Sequence, residues 1–252
     1  MIRRRKNRGS YGRLVLFLAI AVLGWLFTAH SLQSRPLEPI RHIRSGIPGV
    51  DVIEIDPTAA EIRPVIANGN GEYFSDMVKR LKPTAAINGT FYSAEMKPLG
   101  DILIDGKLKC RGHYPNAFAV TNDGKIKLIR GTKQHIDWSG CRHGIAAGPR
   151  LVHNGIVELK PNDDGFTKRS LTIAATRTGI GITKDGNLLL VTTSREILLQ
   201  DFAEVMVKLG ATEALNVDGG GARGLLFKDK IYANPYLLMT NILAVYEKKS
   251  SK

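Results

Sequence analysis

The chain has 252 residues, 43% of them hydrophobic and 23% charged, a balance that excludes a wholly disordered protein. Its formal net charge is +13, but Arg3, Arg4, Arg5, Lys6, Arg8 and Arg13 supply six of those charges and leave +7 on the rest. That balance reads as a solvated basic face or as attraction to acidic envelope polymers or phosphate-bearing substrates. No helix-turn-helix, zinc-finger or RNA-binding signature accompanies it, so nucleic acid is not an expected partner.

Residues 3–13 form a basic run, and residues 14–27 (LVLFLAIAVLGWLF) are almost wholly apolar. These 14 residues fall short of the roughly 20 that span a bilayer and match the apolar region of a signal peptide. Ala29 and Ser31 offer small residues for cleavage, though not in the favoured Ala-x-Ala spacing. Residues 1–31 therefore read as a signal peptide or as an uncleaved signal anchor, with the membrane as partner in the second case. Either reading exports the rest of the chain, to the periplasm, the exterior or the outer side of the cytoplasmic membrane. Residues 32–40, with Pro36 and Pro39, read as a linker, and 41–248 as one domain.

Within that domain Ser75 is expected to cap a helix running to about Leu81, with Met77, Val78 and Leu81 on one face. The small apolar run Ala85, Ala86, Ile87 then delivers Asn88 to a glycine turn beside Phe91 and Tyr92. Asn88 carries both donor and acceptor groups for sugar hydroxyls or phosphate oxygens, and aromatic rings can flank a sugar. An Asx turn with two core aromatics reads the same residues without a ligand. Asp105-Gly106, Asn122-Asp123-Gly124, Asn154-Gly155 and Asp185-Gly186 each separate two β-rich runs and signal tight hairpins, and Lys228-Asp229 marks a weaker fifth. Cys110 and Cys141 belong to no CxxC pair; one disulfide and two separate thiols both remain open. His143 lies near neutrality in its ordinary titration, and Gly148-Pro149 fixes a turn that presents Arg150, a candidate phosphate contact or an ordinary surface-turn residue.

Arg177 enters a glycine-rich strand, where its planar fork suits phosphate, and taken alone it reads equally as an exposed strand-edge arginine. The strand after it ends in the turn Thr192, Thr193, Ser194, Arg195, Glu196. Leu198, Phe202, Val205, Met206 and Leu209 recur at helical spacing, with Gly210 as a stop. The strongest signal lies just beyond. Asn216, Val217 and Asp218 end a β-like run, and Gly219, Gly220 and Gly221 come next. Three glycines cost conformational entropy, and one return is close approach of backbone amides to an anion; a glycine-rich turn capped by Asp218 reads the same residues without a ligand. The loop is neither a Walker nor a Rossmann motif. The histidines show no HxH or HExxH spacing, and no Gly-x-Ser-x-Gly elbow occurs, which argues against zinc and serine hydrolases. No cofactor is expected; a divalent metal near Asp218 has no spacing signature. Hairpins interrupted by helices predict an α+β fold: a mixed or antiparallel sheet built from hairpins, with two or more packed helices.

In this order the motifs resemble the phosphodiester glycosidase family over residues 85–245. They are Asn88-Gly89-Thr90-Phe91, then Gly148 to Leu151, the arginine strand with its Lys-Asp-Gly turn at 177–186, and the helix leading into Asn216-Val217-Asp218-Gly219-Gly220-Gly221. The family usually continues the triple glycine with Ser, whereas Ala222 and Arg223 stand here; Arg223 offers an added anion contact. The resemblance implies hydrolysis of a phosphate-linked sugar, with an envelope polymer as the expected source. It implies that Arg177 and the amides of Gly219, Gly220 and Gly221 hold phosphate. Asp218 would serve as nucleophile, general base or electrostatic partner at the anomeric carbon, and Asn88 would orient sugar or phosphate. Thr193 or Ser194 would add hydrogen bonds. Glu196 and Asp101 are candidates for a second carboxylate only by elimination. The alternative from another class is a non-catalytic envelope-polysaccharide binding or assembly module on the same fold.

Overall fold

The structure, a computed structural model, describes residues 38–132, 135–166 and 173–248. The segment read as signal or anchor lies outside them, as does most of the linker. No helix among the described residues is long and apolar enough to cross a membrane.

All five expected hairpins form, and they assemble into antiparallel sheets. The first sheet runs β1 (Ile40–Arg44), β2 (Val50–Ile55), β14 (Leu188–Thr193), β13 (Thr178–Thr183), β15 (Ala211–Val217), β11 (Arg150–His153), β12 (Ile156–Val157). A second runs β7 (Lys107–Cys110), β6 (Ile102–Ile104), β10 (Cys141–Ala147), β8 (Asn116–Thr121), β9 (Ile126–Arg130). A third runs β17 (Lys230–Ala233), β16 (Leu225–Phe227), β5 (Ala85–Asn88), β19 (Asn241–Glu247), β3 (Ala60–Ile66). A short pair, β18 (Leu238–Met239) with β4 (Glu72–Tyr73), completes the set.

This overturns the expected α+β class. The described residues hold two α-helices, α1 (Phe74–Leu81) and α2 (Leu199–Lys208), of eight and ten residues, against four sheets in which every pairing is antiparallel. The domain is mostly β. The missed strands explain the difference. β19 lies between β5 and β3 and is buried on both faces along most of its length, so it shows no alternation. β1, β2 and β3 are joined without the hairpin dipeptides that marked the others.

One core joins the three large sheets, with Ile53 and Ile55 from β2, Ile87 from β5, Phe118 from β8, Ile145 from β10, Ile180 from β13, Leu215 from β15 and Leu243 from β19. The sequence Gly179-Ile180-Gly181-Ile182 shows how the layers fit. The isoleucines enter the core, while the glycines face α2 on the other side. A Cβ on Gly179 would stand 2.9 Å from the Phe202 ring, and one on Gly181 would stand 2.8 Å from Met206. α1 packs Phe74, Met77 and Val78 against Ala86, Leu226, Ile242 and Ala244 on the outer face of the third sheet. Its N-cap is Tyr73, not Ser75, and no side chain caps it.

Cys110 and Cys141 are both free. Their strands are separated by β6, and two strand spacings of roughly 4.8 Å exceed a disulfide's Cα reach. His143 is buried, and its Nδ1 accepts a hydrogen bond from the Asp105 amide at 3.2 Å. Burial pushes its pKa below the usual histidine value, so it serves the hairpin rather than the site.

Candidate active site

β5 and β15 end side by side, and β16 starts where the glycine loop returns. Asn88, the last residue of β5, is fully buried. Its Nδ2 donates to the Asp218 carbonyl at 2.5 Å, and its Oδ1 accepts from the Gly224 amide at 2.9 Å. Its own amide donates to the Gly224 carbonyl at 3.2 Å, and the Asp218 amide donates to the Gly89 carbonyl at 3.3 Å. Asn88 thus holds both ends of the loop from Asp218 to Gly224. Its side chain is occupied by the backbone, which makes it a positioning residue.

Each glycine of the loop has its own reason. A Cβ on Gly219 would stand 2.7 Å from the Thr176 carbonyl. Gly220 has φ +57°, the left-handed region. A Cβ on Gly221 would stand 2.6 Å from the Tyr236 ring. The amides are not a free cradle. That of Gly219 donates to the Asp218 Oδ1 at 2.9 Å, and that of Gly220 to the Thr176 carbonyl at 2.9 Å; neither bond uses the Gly221 amide. Ala222, where the family usually carries Ser, is buried in the α1 cluster with Phe74 and Met77. The departure at that position therefore falls in packing.

Asp218 is the chemically distinctive residue. Burial pushes its pKa up to about 7, and the Gly219 hydrogen bond pulls the other way. No described cation forms an ion pair with it. Its charge raises the pKa of two neighbouring phenols, Tyr92 and Tyr114, although burial is the larger cause in both and takes Tyr114 to about 12. Tyr114 stacks on Phe166 at 4.8 Å and meets Phe91 edge-on at 5.6 Å. Tyr92 was legible from its place in the Asn88 turn; Tyr114 and Tyr236 were not, because no motif precedes them.

Behind the loop stands a cationic wall. Arg177 donates through Nε to the Ile197 carbonyl at 3.1 Å and through Nη2 to the Ile173 carbonyl at 2.5 Å. Its amide donates to the Thr193 Oγ1 at 2.8 Å, and that hydroxyl donates to the Arg195 carbonyl at 2.9 Å. Arg223 donates through Nη1 to the Thr193 carbonyl at 2.9 Å. Burial lowers the pKa of both arginines. Ser194 is exposed and donates to the Gly49 carbonyl at 3.3 Å. The structure thus gathers Asn88, Asp218, Gly219, Gly220, Gly221, Arg177, Thr193, Ser194 and Arg223. It sets Arg150 apart: that side chain is buried against Glu213 at 3.6 Å and His153 at 3.2 Å. Asp101 accepts from the Gly112 amide and the Trp138 indole, so both its oxygens are used, and Glu196 is exposed. Among the described residues no three His, Cys, Asp or Glu side chains group to hold a metal.

Replacing Arg177 with Lys keeps the charge but loses the fork that grips two carbonyls. Affinity for inorganic phosphate, measured by calorimetry, is expected to fall on the order of tenfold, about 1.4 kcal/mol. Unchanged affinity would assign Arg177 to loop anchoring alone.

Residues 82–245 match the sequence model described as phosphodiester glycosidase, about two thirds of the chain. The chain belongs to the phosphodiester glycosidase family. It is 25% identical over 173 residues to bovine N-acetylglucosamine-1-phosphodiester alpha-N-acetylglucosaminidase, a match covering 60% of this chain and 32% of that protein. It therefore spans about a third of that relative's length. It is 23% identical over 195 residues to the uncharacterized protein YigE of Escherichia coli, covering 68% of this chain and 71% of that one. Among solved structures, the zebrafish N-acetylglucosamine-1-phosphodiester alpha-N-acetylglucosaminidase catalytic domain, auto-inhibited by its pro-peptide, shares the fold. Its TM-score is 0.68, at 19% identity over 86% of this chain and 85% of that one. For a hypothetical protein from Synechocystis the TM-score is 0.65, at 16% identity over 83% of this chain and 61% of that one.

Proposed function

We propose that this domain is an exported hydrolase that cleaves the glycosidic C–O bond of a sugar-1-phosphodiester in the cell envelope. The observation that carries the reading is Asp218. A half-buried carboxyl with one hydrogen bond and no ion-paired cation among the described residues is costly unless it has a task, and a pKa near 7 suits proton transfer at neutral pH.

In the proposed reaction the sugar's anomeric carbon faces Asp218 and the phosphate faces the Arg177 and Arg223 wall. Water attacks the anomeric carbon and Asp218 takes its proton. The bond from that carbon to the bridging oxygen breaks, and its electron pair leaves with the phosphomonoester. Free sugar and phosphomonoester are the products. A phosphate is already a good leaving group, so the absence of a second carboxylate beside Asp218 among the described residues does not block the step. Residues 1–31 supply the export signal or an anchor in this proposal.

The second reading, a non-catalytic envelope-polymer binding module, is favoured by one observation. Two of the three glycine amides are already committed within the protein. Incubating the purified protein with a panel of sugar-1-phosphodiesters and measuring released reducing sugar separates the two. Turnover above the uncatalysed rate is expected. Binding of the same esters without any release would support the module and sink the hydrolase.

A further inference from the structure

Seven large hydrophobic side chains are exposed among the described residues, and they are not scattered. Ile156 sits apart on the β11–β12 hairpin. The other six are Tyr73, Ile173, Leu198, Tyr236, Leu237 and Leu238. Tyr236, 78% exposed, lies with its ring on the backbone of Gly221, and Leu237 approaches the same glycine. Leu238 pairs with Tyr73 across β18 and β4. On the opposite side, Ile173 offers the carbonyl that Arg177 grips, and Leu198 comes directly after the second such carbonyl, that of Ile197. The bond from the Gly220 amide to the Thr176 carbonyl joins the two halves. Exposed apolar residues therefore stand on both sides of the glycine loop, a rim made of Tyr236, Leu237, Leu238 and Tyr73 on one side and of Ile173 and Leu198 on the other.

Six of the seven exposed large apolar residues collected at one polar site point to an apolar ligand part. Sugar rings stack on aromatic faces, but exposed leucine and isoleucine side chains gain only from hydrocarbon. From this we infer that the alcohol esterified to the phosphate is a lipid, a long alkyl or polyprenyl chain, which lies on this rim while the sugar occupies the cleft. The inference rests on the hydrolase reading and narrows its substrate to amphiphilic sugar-1-phosphodiesters. The absence of a Cβ at Gly221 keeps the Tyr236 ring seated at the junction between phosphate and chain.

The test has two arms, run on protein purified from cells expressing the full chain. In the first, calorimetry compares methyl phosphate with octyl phosphate, both below micelle-forming concentrations. Octyl phosphate is expected to bind at least tenfold tighter, and that ratio to shrink at least threefold in Leu237→Ser and in Tyr236→Ser. Equal affinities, or a ratio that neither variant changes, would overturn the inference. In the second, one sugar is presented as its methyl and its octyl phosphodiester, and kcat/KM is expected to favour octyl by a similar factor. Tight octyl phosphate binding without hydrolysis of either ester supports the rim and removes the hydrolase reading. Hydrolysis of both at equal kcat/KM, with equal phosphate affinities, removes the rim and leaves the hydrolase.

Discussion

Asp218→Asn is expected to lower turnover of a sugar-1-phosphodiester by about 10²–10⁴-fold, the range typical for loss of a general base. The amide keeps the shape and can still accept the Gly219 hydrogen bond. Stability should move in the opposite direction. Burial raises the folded pKa of Asp218 to about 7, above its ordinary 3.8. The contribution of this group to stability is therefore full below pH 3.8 and is lost as pH rises through about 7. Across that window each pH unit removes at most about 1.4 kcal/mol, and the variant escapes the loss. Melting at pH 5 and pH 8 should show the Asp218→Asn variant less pH-dependent than the native protein. A variant that is destabilised at pH 8 yet fully active would make Asp218 a structural cap and end the catalytic assignment.

Asn88→Ala has the second largest expected effect, and it falls on stability. Truncation leaves the Asp218 carbonyl and the Gly224 amide without their partner in a buried setting. Each such loss costs about 1–3 kcal/mol, so about 4 kcal/mol in all is a central expectation, or roughly 8–16 °C in Tm for a domain of this size. Activity per folded molecule should fall as well, because both ends of the glycine loop are released. Thermal melting and turnover on one preparation decide the role. Lost activity with an unchanged Tm would mean that Asn88 touches substrate instead of holding the loop.

Much of this was legible in the sequence because short-range chemistry was responsible. Asp105-Gly106 and Asn154-Gly155 dictate left-handed turns, and Asp105, Gly106, Asn154 and Gly155 all have positive φ in the structure. The helical spacing of Phe202, Val205 and Met206 likewise specifies α2. What the sequence did not show depends on distant contacts. β19 reads as an uninterrupted apolar run until its neighbours β5 and β3 are known. Asn88 and Asp218 are 130 positions apart, so their bond and its purpose emerge only in three dimensions. Arg150 comes after a conspicuous Gly-Pro turn, yet Glu213, on the neighbouring strand, takes its guanidinium. Gly221 is also the seat of the Tyr236 ring, a partner with no signature of its own in the sequence.

The central claim is that the glycosidic bond breaks, with attack at the sugar carbon. Hydrolysis in water enriched with oxygen-18, with mass spectrometry of both products, tests it most directly. Cleavage between the anomeric carbon and oxygen places the heavy atom on the released sugar and leaves the phosphomonoester unlabelled, which is the result expected. Label on the phosphomonoester would show attack at phosphorus and contradict the assignment of Asp218 to the anomeric carbon.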